Sequence, residues 1–361
     1  MSETRRIRGG RTRGHFRGCM LGGAVGDALG AAVEYKKLAE IRAEFGPAGL
    51  RDFGVAYGRI GAITDDTQLA LFTAEALLRA EHCRLRDPGC NGLEVAWHAY
   101  LRWLETQGEV VRRRGLPDED GWLVSVKGLH ARRAPGVTCT TGLKKGRMGT
   151  AAHPLNDSKG CGGVMRIAPA GFPPGQPFRL GCDLAALTHG HPTGWLAAGF
   201  LAQLVHEVAE GGSIEEGALR ALEVLRRQPG HEETSLAVER AIELSRASRG
   251  TAEEVESLGQ GWVADEALAI ALYAALMARG FEHGVLLAVN HSGDSDSTGA
   301  IAGNLLGLTL GEQAIPARWL ERLELRDVIE QVADDLHRHF GTGGVACQGG
   351  QCGAWARYPA N

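Results

Sequence analysis

Residues 66–80 read DTQLALFTAEALLRA, and their spacing predicts a helix with Leu69, Phe72, Thr73, Ala76 and Leu77 on one face. The same period recurs in residues 93–107, LEVAWHAYLRWLETQ, where Gly108 marks the end. It returns in 183–209, with a break or a first-turn position at Pro192. It returns again in 214–227, 233–247, 264–279, 281–290, 297–310 and 317–340, and Gly280 stands between two of these as a C-terminal cap. Sustained runs of Val, Ile, Thr and aromatics are missing, so strands have little support. Residues 108–182 are rich in charge, glycine and proline and predict loops and short helices. The expectation is one compact all-α domain over residues 18–340, with functional loops and at most a few short strands.

A chain of 361 residues with 44% apolar and 23% charged side chains can bury a core without disulfides or a structural metal. A net charge of -4 makes no global case for a nucleic-acid partner. No run of 18 apolar residues suggests a membrane span, and the N-terminus lacks the apolar stretch of a secretory signal. Eight cysteines without a CxxC pair read as reduced thiols of a cytoplasmic protein. Residues 1–17 hold six arginines against one acid, Glu3, and read as a flexible basic arm, with ordered structure starting near Phe16. Residues 341–361, glycine-rich and containing Cys347 and Cys352, are expected outside the core.

The chemistry concentrates in two acidic clusters. Thr64-Asp65-Asp66-Thr67 precedes the helix at 66–80, and Asp294-Ser295-Asp296-Ser297-Thr298 precedes the helix at 297–310. Either alone reads as an N-cap, because Asp, Ser and Thr oxygens accept the unpaired amides of a first turn. Both together hold more carboxylates than caps need, and adjacent acids near a core are costly unless a cation neutralises them. Hard oxygen donors of this kind suit Mg²⁺, Mn²⁺ or Ca²⁺, and two facing clusters could hold two ions roughly 3.5–4 Å apart. A prenyl-diphosphate site would use DDxxD, but Asp65-Asp66 is followed by Thr67, Gln68 and Leu69.

Four stretches, in order, resemble the ADP-ribosylglycohydrolase family: GCMLGGAVGDALGAAVEY (18–35), ITDDTQLAL (63–71), SKGCGGVMRIAP (158–169) with LTHGHPTGWLAAG (187–199), and GWVADEALAIALYAAL (261–276) with HSGDSDSTGAIAGNLLG (291–307). The resemblance covers residues 18 to about 310 and implies an all-α orthogonal bundle. It implies Thr64, Asp65 and Asp66 as ligands on one side of a two-Mg²⁺ centre and Asp294, Asp296 and Ser297 on the other, with Mn²⁺ as a substitute. Thr298 is left as a helix-start residue. Glu34, Asp65 and Asp296 are implied as catalytic, with Asp27 supporting them. Gly22, Gly23, Gly26 and Gly30 read as allowing close helix packing. They are not a dinucleotide fingerprint, since the GxGxxG spacing is absent.

The SKGCGG loop reads as a cradle whose amides meet an anion. By the resemblance, Ser158, Lys159, Gly160, Cys161 and Gly162 touch the diphosphate and distal ribose of ADP-ribose, and His189 lies beside the ligand. Lys159 stands where some relatives carry a stacking aromatic, and Cys161 where some carry asparagine. Lys159 is then expected to meet a phosphate, and no base can be assigned to make Cys161 a nucleophile. The implied reaction is hydrolysis of the N-glycosidic bond at ribose C1, most of all in ADP-ribosyl-arginine, with serine-linked, nucleobase-linked and small-molecule ADP-ribose as the other leaving groups. The alternative reading is an immunity protein whose arginine arm enters and blocks an ADP-ribosyltransferase toxin. A non-catalytic ADP-ribose binder is disfavoured by the complete acid set.

Overall fold

Four glycines spaced by four, Gly18, Gly22, Gly26 and Gly30, leave a bare groove along one side of the first helix. Gly299, Gly303 and Gly307 do the same for a helix near the end of the chain. In the computed structural model, which describes residues 11–111, 121–341 and 356–359, these two grooves meet backbone to backbone. A Cβ on Gly26 would stand 1.9 Å from the Gly299 carbonyl oxygen, and one on Gly22 would stand 2.3 Å from that of Gly303. Helix separation follows the size of the side chains at the contact, so this seam is closed to any residue with a side chain.

The helices follow in order: α1 (Arg13–Gly30), α2 (Leu38–Phe45), α3 (Asp65–Arg86), α4 (Gly92–Thr106), α5 (Trp122–Ser125), α6 (Val137–Lys144), α7 (Pro177–Ala186) and α8 (Pro192–Ala209). Then come α9 (Ile214–Leu225), α10 (Glu232–Ala247), α11 (Ala252–Glu256), α12 (Ala264–Leu276), α13 (Phe281–Val289), α14 (Ser295–Leu310), α15 (Ala317–Leu320) and α16 (Arg326–Phe340). One antiparallel pair, β1 (Val55–Ala56) and β2 (Arg59–Ile60), is the only sheet among the described residues. The expected all-α class is what the chain adopts. Helix α14 packs on α1, α12 and α13, while α8 packs on α7, α9 and α12. One continuous apolar core, with Val25, Leu29, Phe72, Trp103, Phe200, Leu268 and Leu305 all inaccessible to solvent, joins the two groups. No described helix is long and apolar enough to cross a membrane.

Four expectations change. Helix α1 starts at Arg13 rather than near Phe16, and three arginines of the expected arm are tied down. Arg11 pairs with Glu210, Arg13 with Asp334, and Arg17 with Asp334, Glu330 and Glu312. A free arm of six arginines is therefore reduced, and residues 1–10 lie outside the described residues. The helix expected over 317–340 is two, α15 and α16, because Leu325 adopts a left-handed φ of 54°. That turn delivers the buried Glu324 carboxylate to the Ile63 amide and to Arg59 and Arg133. Cys83 and Cys90 form a disulfide, because the turn from α3 to α4 brings their Cα atoms to 5.9 Å, whereas Cys19, Cys139, Cys161 and Cys182 are free. The C-terminal segment is not wholly outside the core: Tyr358 is fully buried, its carbonyl meets His82, and Arg357 bonds Asp335 through two nitrogens. Cys347 and Cys352 lie outside the described residues.

A buried acidic cluster as candidate metal and active site

The glycine seam decides where the acids go. Asp27, near the end of α1, accepts the Thr64 amide at 3.0 Å, the Thr67 amide at 3.1 Å and the Thr67 hydroxyl. It thereby fastens α1 to the first turn of α3. Thr64 is the N-cap of α3, its hydroxyl accepting the Asp66 amide at 3.2 Å. Asp65 and Asp66 follow in that turn, where the exposed helix amides favour negative charge. Asp65 also accepts the Gly136 amide at 3.1 Å. Across the seam Asp294 is the N-cap of α14, and Asp296 accepts the Ser297 amide at 3.0 Å. Glu34 arrives from the turn after α1, held there because Tyr35 adopts a φ of 67° and its amide donates to Gly293.

These elements bring carboxylate oxygens of Glu34, Asp294 and Asp296 within 4.8 Å of one another. Asp27, Asp65, Asp66, Asp294 and Asp296 are all buried, and none has an ion pair to a lysine or arginine among the described residues. Burial first, then the negative charge of Asp296, pushes Glu34 up to about 9 and Asp27 up to about 7. Burial also raises Asp65, Asp66, Asp294 and Asp296. Oδ2 of Asp66 is buried with no hydrogen-bond partner. A buried carboxylate oxygen without a donor, among other acids, fits a divalent cation.

The remaining expected residues divide. The Ser297 hydroxyl rests on the Met165 sulfur at 3.6 Å. Thr298 turns away and donates to the Ala288 and Asp294 carbonyls, also meeting His291. In the glycine loop, the Ser158 hydroxyl meets Thr138 at 2.8 Å and accepts the Gly160 amide, and the Cys161 amide donates to the Trp262 carbonyl. Two amides of the expected anion cradle are therefore spent inside the protein. The Cys161 thiol donates to Asp294 Oδ2 at 2.8 Å, which joins this loop to the acids. Lys159 pairs with Glu233 at the start of α10, so its expected phosphate contact would have to compete with that pair. His189 is buried, bonded to Thr188, and backs the loop, since a Cβ on Gly162 would stand 3.2 Å from its ring. Burial and the Arg166 guanidinium lower it to about 3, so it is neutral.

Sequence reasoning missed the aromatic rim. Tyr35 and Trp262 stack with centroids 5.1 Å apart, and Tyr35 is 68% exposed. Both sit in quoted motifs, Tyr35 directly after Glu34 and Trp262 in GWVADE, yet only the fold brings them together. Arg166 was also missed. It is fully buried under the Tyr100 ring and donates to Thr188, which in turn holds His189.

A family model described as ADP-ribosylglycohydrolase matches residues 9–345. The ADP-ribosyl-[dinitrogen reductase] glycohydrolase of Rhodospirillum rubrum is 27% identical over 317 residues, covering 86% of this chain and 90% of that one. ADP-ribosylarginine hydrolase Tri1 of Pseudomonas putida is 26% identical over 330 residues, covering 89% and 77%. A solved structure titled ADP-ribosylglycohydrolase-related protein complex superposes with a TM-score of 0.66 at 29% identity, covering 90% of this chain and 98% of that one.

Proposed function

The chain belongs to the ADP-ribosylglycohydrolase family and is a hydrolase that removes ADP-ribose, and we propose that the bond it cuts joins ribose C1 to an arginine side chain of a modified protein. The observation that carries the reading is the meeting of acids from α1, α3 and α14 around the unpartnered Asp66 oxygen, with a glycine loop and an aromatic pair beside them. The arginine linkage is supported by the Pseudomonas relative, an ADP-ribosylarginine hydrolase.

Two Mg²⁺ ions, or Mn²⁺ in their place, would be held by Thr64, Asp65 and Asp66 on one side and Asp294, Asp296 and Ser297 on the other, supplying Lewis-acid binding of the ribose hydroxyls and a more acidic water. Cleavage develops oxocarbenium character at C1, which surrounding carboxylates stabilise by charge. Water oxygen bonds to C1, and the guanidino nitrogen leaves with a proton. Glu34 is placed to accept the water's proton or to hold a ribose hydroxyl, at the rim where solvent and substrate enter. Asp65 is steadied by the Gly136 amide, and Asp296 by the Ser297 amide, so neither needs to reorganise during reaction. Asp27 acts through Thr64 and Thr67 as a positioning residue. The Tyr35–Trp262 pair offers a flat apolar surface for the base of the nucleotide.

The test is release of free ADP-ribose from an arginine-ADP-ribosylated protein, with Mg²⁺ and with EDTA, for wild type and Asp65→Ala. A serine-linked substrate runs in parallel. Release that needs Mg²⁺ and Asp65 and prefers the arginine linkage is expected. Equal or faster release from serine would overturn the linkage, and undiminished release in EDTA would overturn the metal centre.

A further inference from the structure

The hairpin of β1 and β2 carries an apolar outer face. Val55 and Ile60 pair across the two strands, so their side chains share that face, and they are 67% and 40% exposed. Tyr57, in the turn between the strands, is 45% exposed. We infer that this hairpin is the docking surface for the polypeptide that carries the ADP-ribosyl group, holding it by apolar contact beside the acid pocket. The inference rests on the proposed hydrolysis of a modified protein and deepens it by naming what grips the protein rather than the nucleotide.

The hairpin is anchored to the pocket. Only Gly61, Ala62 and Ile63 stand between β2 and Thr64. The Glu324 amide donates to the Gly61 carbonyl at 3.0 Å, and the Glu324 carboxylate accepts from the Ile63 amide and from Arg59. The Arg133 guanidinium lies 4.9 Å from the centre of the Tyr57 ring, while the Arg133 carbonyl accepts the Asp65 amide at 3.1 Å. One residue therefore touches both the hairpin turn and the first acid of α3. Burial, then the charges of Glu34 and Asp296, raise the Tyr57 phenol above its ordinary range, which sets it within the field of the acids. Val137, 76% exposed, adds a further apolar side chain directly after Gly136, whose amide meets Asp65.

Tyr57 occupies its place at a conformational cost. It has a φ of 52° and Gly58 one of 76°, a turn in which Asn-Gly is the favoured pair. A bulky side chain is disfavoured there, and the ring is not sunk in the core to offset that.

The occupant follows from reach. An arginine whose guanidino nitrogen stands at the acids has its Cα roughly 7 Å back, counting bonds of about 1.5 Å. The chain bearing it must run over the rim of the pocket, where exposed apolar groups beside polar ones mark a protein contact. A second copy of this chain is the competing occupant.

Hydrolysis is measured on two substrates that share one linkage: free ADP-ribosyl-arginine and an arginine-ADP-ribosylated protein. The variants are the double Val55→Ser/Ile60→Ser, Tyr57→Asn, which suits the turn, and Leu219→Ser, an exposed leucine on α9, as control. The protein KM should rise about tenfold in the double variant and several-fold in Tyr57→Asn, with the free-substrate KM rising much less and Leu219→Ser moving neither. Equal rises on both substrates would place the hairpin in nucleotide binding and overturn the docking role, as would no change on either. A dimer in sedimentation velocity that the double variant abolishes, with the protein KM unmoved, would assign the face to a second copy and overturn it too. Should wild type hydrolyse neither substrate, the arginine linkage fails, and calorimetric binding of the same modified protein, weakened by the double variant or not, decides the docking role by itself. The substituted side chains are exposed, so folding should be kept; a double variant that unfolds leaves Tyr57→Asn to decide.

Discussion

Gly26→Ala adds one methyl group at one of the tightest points of the seam between α1 and α14. Its Cβ would stand 1.9 Å from the Gly299 carbonyl oxygen and 2.3 Å from the carbonyl carbon. Those atoms are helix backbone and cannot swing aside, so the helices must part by more than about 1 Å to restore contact distance. Overpacking of this kind costs about 1–3 kcal/mol. Alanine recovers about 0.5–1 kcal/mol over glycine inside a helix, leaving a net loss of up to about 2.5 kcal/mol. The site should suffer further. Asp27 is the next residue, and its bonds to the Thr64 and Thr67 amides, at 3.0 and 3.1 Å, do not survive a shift of that size. Urea unfolding in EDTA reads the stability, and calorimetry with Mg²⁺ reads the site. Gly14→Ala is the control on the same helix: its nearest neighbour would be 3.8 Å away, and stability should not fall but rise by up to about 1 kcal/mol. A Gly26→Ala protein with the wild-type urea midpoint and wild-type Mg²⁺ affinity would refute the claim that this seam sets the spacing of the acids.

The metal-free protein should lose stability as pH rises. Folding raises the pKa of Asp27 to about 7 and of Glu34 to about 9, so their contribution is complete below about pH 4 and is lost as pH passes through those values. A divalent cation at about 100 times its dissociation constant should add about 2.7 kcal/mol and flatten that decline; thermal melts from pH 5 to 9, with and without EDTA, check both. Asp66→Asn removes one buried like charge, so it should raise the melting temperature in EDTA while weakening Mg²⁺ binding at least tenfold. A lower melting temperature in EDTA would count against repulsion as the state of the empty cluster. Trp262→Ala should raise KM several-fold with little change in kcat, since the ring is expected to bind the far end of the substrate; a fall in kcat alone would move Trp262 into the chemistry.

The sequence by itself determined the helical class, because apolar residues at a period of 3.6 recur through most of the chain and nothing favours strands. It also marked both acidic clusters as exceeding the needs of a cap, and Gly22, Gly23, Gly26 and Gly30 as allowing close helix packing. Helix ends were legible where a chain-local signal exists, as at Pro192, whereas Gly280, expected to cap a C-terminus, is the N-cap of α13, and α12 already ends at Leu276. Ends were missed where a distant group sets them, as at Leu325, whose turn exists to carry Glu324 to Arg59 and Arg133. The Cys83–Cys90 bond and the burial of Tyr358 were illegible for the same reason.

Only the tertiary structure decided which acids share one pocket, because Glu34, Asp294 and Asp296 meet through the α1–α14 seam, while Asp27 fastens the first turn of α3. Exposure and partnership decided the rest. Lys159 is committed to Glu233, the Cys161 sulfur to Asp294, and Tyr35 stacks on a tryptophan 227 positions away in the sequence. Residue type and local period are properties of the chain, but a pocket is a set of distances between residues far apart along it, and those exist only once the helices have packed.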